Sequence, residues 1–430
     1  MRMTTSIKTS LKARMTTRIS TLVAVALSFV IAGCDAPRRE TEHIDVVWHT
    51  SNLTDNVLPR WLELAPQDNG FMRSAFERSW QPKAEQPGYL TEHARLVYAL
   101  IAGYEITRDR RYLVAALRGA DFLLTHFQDP VHGGFFTRVA PDGKVIYDSK
   151  FTYGNAFALF ALSHMARVTG EVRFRTAALA AWRAIDVGLR DSKGGFYRML
   201  PRNFSKTGPE AKEVKTQNPV MHLFEALLAL HDATQDPVAM KGAKSVGEFV
   251  VYRLLQGQPD DGASIPEIYD NDWKPLTDKE KGAYTDLGHQ FEWAHLLWQA
   301  ESRGLTGIYS LTAERLLNFG LKHGYDEVNG GVYRVRYPDG TVERDKFWWQ
   351  QTEAMRAFVM SATLSKKKDM WRRYEQTLKL VQEQFVDKAN GGWHDKACAR
   401  GGCTSGEQVD PYHMTAMHAF AIEWAKKDRK

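Results

Sequence analysis

The chain has 430 residues, 43% of them hydrophobic and 25% charged, with a formal net charge of +6. Five basic and no acidic residues fall before Cys34, so the remainder carries only about +1. A near-neutral body gives no electrostatic reason to expect nucleic-acid binding.

Arg2, Lys8, Lys12, Arg14 and Arg18 precede an apolar run from Leu22 to Ile31 and the small-residue ending Ala32-Gly33-Cys34. A basic region, a short apolar core and a small-residue cleavage site describe a secretory leader over residues 1–33 rather than a membrane span. Ile31-Ala32-Gly33-Cys34 resembles a bacterial lipobox. That implies lipidation of Cys34 and a protein anchored to a membrane in the bacterial periplasm. Asp35 resembles an inner-membrane retention signal; a secreted soluble protein is the alternative. Residues 34–50 read as a tether and 51–430 as one catalytic domain.

A Gly-Gly-aromatic signal then recurs roughly every 65 residues, a period that marks one supersecondary unit used repeatedly. The clear copies are Gly133-Gly134-Phe135, Gly194-Gly195-Phe196, Gly330-Gly331-Val332-Tyr333 and Gly391-Gly392-Trp393. Asn69-Gly70-Phe71 is a weaker copy, and Gly262-Ala263-Ser264-Ile265 a degraded one. Between markers lie amphipathic helices expected over 111–127, 172–189, 237–255, 308–323 and 370–385, suited to an outer layer. Each is paired with a helix apolar nearly all round, such as 155–166, 222–231 and 289–298, which belongs to a buried inner layer. Pro-Asp-Gly turns at 141–143 and 338–340 make hairpins of the connectors. The expected fold is all-α: six helical hairpins closed into an (α/α)6 barrel, with short β-hairpin loops and inner-helix starts at one mouth.

The inner-helix starts carry the polar and aromatic residues. In order they are Glu92-His93-Ala94-Arg95, Lys150-Phe-Thr-Tyr153, Asn218-Pro-Val-Met-His222-Leu-Phe-Glu225, Gly288-His289-Gln-Phe-Glu292-Trp293, Lys346-Phe-Trp348-Trp349-Gln-Gln351-Thr-Glu353, and Asp410-Pro-Tyr412-His413. Equivalent positions in a ring converge on its axis. Arg95, Tyr153, His222, His289, Trp349 and His413 are therefore expected to face one cavity.

Two positioned imidazoles can hold opposite protonation states near neutral pH. His222/Glu225 and His289/Glu292 are three residues apart, so each pair shares a helix face. Trp348, Trp349 and Tyr153 offer apolar faces for a sugar ring, and Arg95 can stabilise a developing enediolate oxygen. These are the parts needed to abstract a proton beside a carbonyl. Each also has an ordinary reading: buried histidines and paired tryptophans are common core residues, and Lys346 and Glu353 can form a structural ion pair. His418 points elsewhere on its helix and reads as structural.

Together these segments resemble the N-acylglucosamine 2-epimerase superfamily, which includes cellobiose 2-epimerases and mannose isomerases, over roughly residues 50–425. The resemblance implies an (α/α)6 barrel and a metal-free proton transfer at C2 of an open-chain mono- or disaccharide. His289 and His413 would be the acid/base pair, with Glu292 supporting His289. Arg95 and His222 would line the site and assist ring opening or stabilise the intermediate, and Trp349 would stack on the sugar. Tyr153, Asn218, Trp348, Gln351, Glu353 and Lys346 complete the expected substrate-binding set. Ala416 departs from the family pattern, which often carries Arg three residues after the last histidine.

A barrel glycoside hydrolase using Glu292 and Glu353, or a non-catalytic glycan-binding lipoprotein, are the competing readings. Glycosidases need paired carboxylates, but neither alternative gives the two histidines a purpose. Cys398 and Cys403 can form a local disulfide in an oxidising compartment. They make a poor zinc site, and no His-Glu-x-x-His motif is present, so neither a metal nor a cofactor is expected.

Overall fold

The computed structural model describes residues 40–257, 261–397 and 406–427. The leader, Cys34, Cys398 and Cys403 lie outside the described residues. Thirteen α-helices run in chain order as α1 (Val46–Ser51), α2 (Leu58–Leu64), α3 (Leu90–Thr107), α4 (Arg110–Phe122), α5 (Thr152–Thr169), α6 (Val172–Ala184) and α7 (Asn218–Thr234), then α8 (Pro237–Phe249), α9 (Leu287–Glu301), α10 (Tyr309–Gly324), α11 (Trp348–Leu364), α12 (Asp369–Gln384) and α13 (Tyr412–Lys427). Helices α3, α5, α7, α9, α11 and α13 each pack against the next, and α13 packs back against α3. That contact closes the inner ring of an (α/α)6 barrel.

The two layers differ as their sequences require. α5 is buried without a break from Gly154 to Ser163, whereas α4 buries only the three- and four-spaced stripe Tyr112, Ala115, Ala116, Gly119, Ala120 and Phe122. A helix apolar all round must lie inside, and a striped one can cover it. No described helix is long and apolar enough to cross a membrane.

The sixth outer position is filled from the other end of the chain, since α1 packs on α13. This corrects the expected tether, which cannot extend to residue 50. Ile44 and His49 are buried, and His49 is held by His418 Nδ1 at 2.9 Å and by the Tyr374 hydroxyl at 2.6 Å. His418 bonds Asn52 Oδ1 at 3.0 Å through its other nitrogen, so this pair joins the first helix to the last.

All six marker glycines have positive φ. At Gly331 an added Cβ would lie 2.3 Å from Leu380 and 2.7 Å from Gln351 Oε1, so the residue is fixed by space as well as conformation. In each clear copy a leading aspartate makes the turn. Asp129 N–H donates to the Gly134 carbonyl, and Asp191, Asp326 and Asp387 do the same to Gly195, Gly331 and Gly392. In the fourth unit it is Ser264, not Gly262, that takes this place, accepting from Gln256.

A lysine completes three of the turns, buried in the first two and partly buried in the third: Lys150 on Asp129, Lys215 on Asp191 and Lys346 on Asp326. The fourth aspartate, Asp387, is reached by Arg78 at 2.7 Å, which ties the first unit to the last. Lys150 and Asp129 have fully buried side chains 2.9 Å apart. Removing one partner leaves an uncompensated charge, so Lys150→Met is expected to cost about 3 kcal/mol in urea unfolding. A cost below about 1 kcal/mol would mean that Arg202, 2.9 Å from the same carboxylate, suffices alone.

Candidate active site

Arg95, Tyr153, His222, His289, Trp349 and His413 all fall in the first two turns of α3, α5, α7, α9, α11 and α13. Local chemistry sets those starts. Asp286 caps α9, accepting from the N–H groups of Gly288 at 2.8 Å and His289 at 3.3 Å; Asp410 accepts from Tyr412 at 3.1 Å to begin α13. Arg95 then joins three inner helices. Its guanidinium donates to Asp410 at 3.1 Å and to the Tyr153 hydroxyl at 2.6 Å, and lies 4.4 Å from the Phe157 ring and 4.8 Å from that of Tyr412.

The imidazoles of His289 and His413 lie against one indole, their ring centroids 4.9 and 5.6 Å from that of Trp349. Each is oriented by a carboxylate. His289 Nδ1 donates to Glu267 Oε2 at 2.8 Å, and His413 Nδ1 to Glu353 Oε1 at 2.9 Å. A carboxylate can only accept, so each ring keeps its proton on Nδ1. Among the described residues neither Nε2 has a hydrogen-bond partner.

The two rings are displaced in opposite directions. Burial pulls His289 down, but Glu267, Asp286 and Glu292 outweigh it and push its pKa up to about 10. Burial, reinforced by Arg95, holds His413 well below the usual imidazole range. At neutral pH one imidazole is charged and the other is not.

His222 completes the wall. Its Nδ1 donates to Glu225 Oε2 at 3.0 Å, and the same oxygen accepts the Tyr412 hydroxyl at 2.6 Å. Glu292 makes no hydrogen bond to His289 among the described residues; it acts on that ring only through its charge, as the last of the three carboxylates named above. It projects across the barrel to within 3.9 Å of His222 Nε2, neither of its oxygens has a hydrogen-bond partner among the described residues, and Glu267 holds the His289 ring instead. Burial and the neighbouring Glu353 raise Glu292 well above the carboxylate range.

Two residues of the expected substrate-binding set are engaged elsewhere. Gln351 is fully buried and clamps the backbone of Val332, accepting from its N–H at 2.7 Å and donating to its carbonyl at 2.9 Å. Lys346 pairs with Asp326 at 2.8 Å, not with Glu353, which binds Arg356 at 2.8 Å. Asn218 and Trp348 open α7 and α11, each with a buried polar atom, Oδ1 and Nε1, that has no hydrogen-bond partner among the described residues.

A groove of about 370 Å³ adjoins the site, lined by Glu92, Arg95, Tyr153 and Arg198. A second hollow of about 500 Å³ opens on the later turns of the inner helices, where Ala416 lies; it meets the site only at Glu225 and Arg356. Ligand atoms of His222, Glu225 and Glu292, and of Glu292, Glu353 and His413, lie within 4.8 Å of one another, close enough to surround a cation. In both sets the histidine Nδ1 is already bonded to a carboxylate.

The N-acylglucosamine 2-epimerase (GlcNAc 2-epimerase) family model matches residues 67–419, which takes in every catalytic candidate above. The chain belongs to this family. A cellobiose 2-epimerase from Eubacterium cellulosolvens is 25% identical over 79% of this chain and 87% of its own length. A D-mannose isomerase from Marinomonas mediterranea is 25% identical over 71% and 78% respectively. The solved structure of cellobiose 2-epimerase from Spirochaeta thermophila superposes with a TM-score of 0.79, covering 91% of this chain and 99% of that one at 22% identity.

Glu267, Gln217 and Arg356 join the site of this 2-epimerase family member without having stood out in the sequence. Gln217 Nε2 donates to Glu267 at 2.8 Å while its Oε1 accepts from the Trp293 indole, fixing the carboxylate against His289. Glu267 does have a signal within the repeat. Its carbonyl receives the N–H of Gln217, just as Thr137, Arg198 and Arg334 receive those of Leu90, Thr152 and Leu287. Asp395 receives that of Trp348 in the same way, so Glu267 is one of two acids among five equivalent positions.

Proposed function

We propose that this protein is a saccharide 2-epimerase or aldose–ketose isomerase that moves a proton at C2 of a free reducing sugar. The observation that carries the reading is the pair of imidazoles on one indole, each held at Nδ1 by a carboxylate and oppositely displaced in pKa. Neutral His413 takes the C2 proton on Nε2, and the electron pair moves into an enediolate. Arg95, with its buried guanidinium, supplies positive charge for that anion. Return of a proton to the opposite face from His289 Nε2 gives the C2 epimer; return to C1 gives the ketose. Trp349 supplies the apolar face on which the sugar ring stacks.

The names of the relatives support a reducing mono- or disaccharide as substrate. In deuterated water the protein is expected to place solvent deuterium at C2 of at least one of mannose, glucose, N-acetylglucosamine, N-acetylmannosamine, cellobiose or mannobiose. No exchange on any of them would overturn the reading. Because histidines and an arginine supply all the charge the reaction needs, dialysis against a strong chelator is expected to leave turnover unchanged. A loss restored by added divalent cation would assign the carboxylate–histidine clusters to a metal instead.

A further inference from the structure

Arg356 lies on α11 one turn beyond Glu353, buried to 8% exposure, and forms the boundary between the active site and the 500 Å³ hollow behind it. Its Nη1 donates to Glu353 Oε2 at 2.8 Å, and the other oxygen of that carboxylate accepts from His413 Nδ1 at 2.9 Å. The guanidinium therefore stands two bonds behind the imidazole and never touches the sugar side. Its Nε is buried and has no hydrogen-bond partner among the described residues. Ala416 on α13 and His295 on α9 line the same hollow, as do the cations Arg167, Arg303 and Lys427, but among the described residues the ion-pair partners of Glu353 are Arg356 and His413.

The charges around this carboxylate make the arginine necessary. Glu225 from α7 and Glu292 from α9 crowd Glu353, with His222 from α7 and His413 and Tyr412 from α13 completing its surroundings. Burial raises the Glu353 carboxyl and Glu225 adds to the rise; Arg356 is the leading opposing influence. A Glu353 that took up a proton could no longer favour the imidazolium that forms when His413 accepts a proton.

We propose that Arg356 is a positioning residue for the proton transfer: from the rear hollow it keeps the carboxylate behind His413 ionised and aimed. This rests on the proposed role of His413. Without the guanidinium, protons bind the Glu353–His413 pair more readily, so the acid limb of kcat/KM moves to higher pH. An opposite charge at this distance shifts a carboxyl by about one to three units, so Arg356→Gln should move the limb up by about one unit or more. Turnover should fall about 10- to 100-fold, the scale of a slightly misplaced catalytic group. Arg356→Lys keeps the charge and should leave the limb near its wild-type position with a lower kcat. The rear hollow also offers a direct check. Added guanidinium can occupy the vacated space in Arg356→Ala and should restore activity and the limb together.

A limb unmoved in Arg356→Gln, or a Lys variant indistinguishable from the Gln variant, would overturn the proposal. If the Gln variant does not fold, the Lys variant decides alone: a retained limb supports the role and a displaced limb contradicts it. The pair is also titrated without substrate, by following the His413 ring by NMR, identified by its loss in His413→Ala. An upward shift in Arg356→Gln is expected there and no shift contradicts it. A wild-type protein inactive on every sugar would end the functional reading and leave that titration standing.

Discussion

Replacing His413 or His289 by alanine is expected to lower turnover by about 10²- to 10⁴-fold, the usual contribution of a positioned general acid or base. Both side chains have their Nδ1 on a carboxylate and, among the described residues, no hydrogen-bond partner at Nε2, so truncation removes the group that exchanges the proton. The fold should survive. Each histidine sits at the start of an inner helix whose later turns supply the packing, and neither is a cap or a core apolar group. Thermal unfolding and steady-state turnover on one preparation check both halves. Activity within tenfold of wild type in either variant would remove that residue from the chemistry.

Glu267→Gln has the next largest expected effect, and its direction follows from His289. The folded pKa of that ring, about 10, stands above its ordinary 6.5, and among the groups that raise it Glu267 is foremost. A raised basic group contributes stability that is complete below the unfolded value of 6.5 and is lost as pH climbs through about 10. Removing the carboxylate charge lets burial dominate, so the alkaline limb of kcat should fall from near 10 toward the ordinary imidazole range. At pH 8 the variant should lose most of its turnover, because the acid partner is then discharged. The stability difference from wild type should be largest below pH 6.5 and shrink as pH approaches 10. An unshifted alkaline limb would mean that Asp286 and Glu292 hold the charge without Glu267.

Much of this was legible in the chain because a repeat writes its architecture several times. The marker glycines, the striped and solid helices and the clustering of polar residues at inner-helix starts are local patterns, and they locate the barrel and its mouth. What the sequence hid was direction. His289 and Glu292 share a helix face, yet α9 turns that face across the barrel axis, so Glu292 meets His222 and the partner of His289 comes from a connector. Gln351 shows a second failure. Asn155 and Gln290 clamp Phe135 and Ile265 as Gln351 clamps Val332, so its recurrence was the mark of scaffold rather than of substrate contact. Lys346 belongs with Lys150 and Lys215 for the same reason. Residues that recur at one place in several units hold the turns, whereas Arg356, which has no such counterpart, stands behind an imidazole.

The sixth outer helix was hidden for another reason. Residues 46–50 are too few to show a period, and their burial depends on α12 and α13, which lie more than three hundred residues away.

The central claim is that two imidazoles serve opposite faces of one carbon. It is tested most directly by wash-out of C2 deuterium, measured separately from each of the two C2 epimers in His289→Ala and His413→Ala. With a base on each face, each variant should release label from one epimer and not the other, and the two variants should show reciprocal patterns. Loss from both epimers in one variant with full retention of exchange in the other would show that a single residue does all the proton removal.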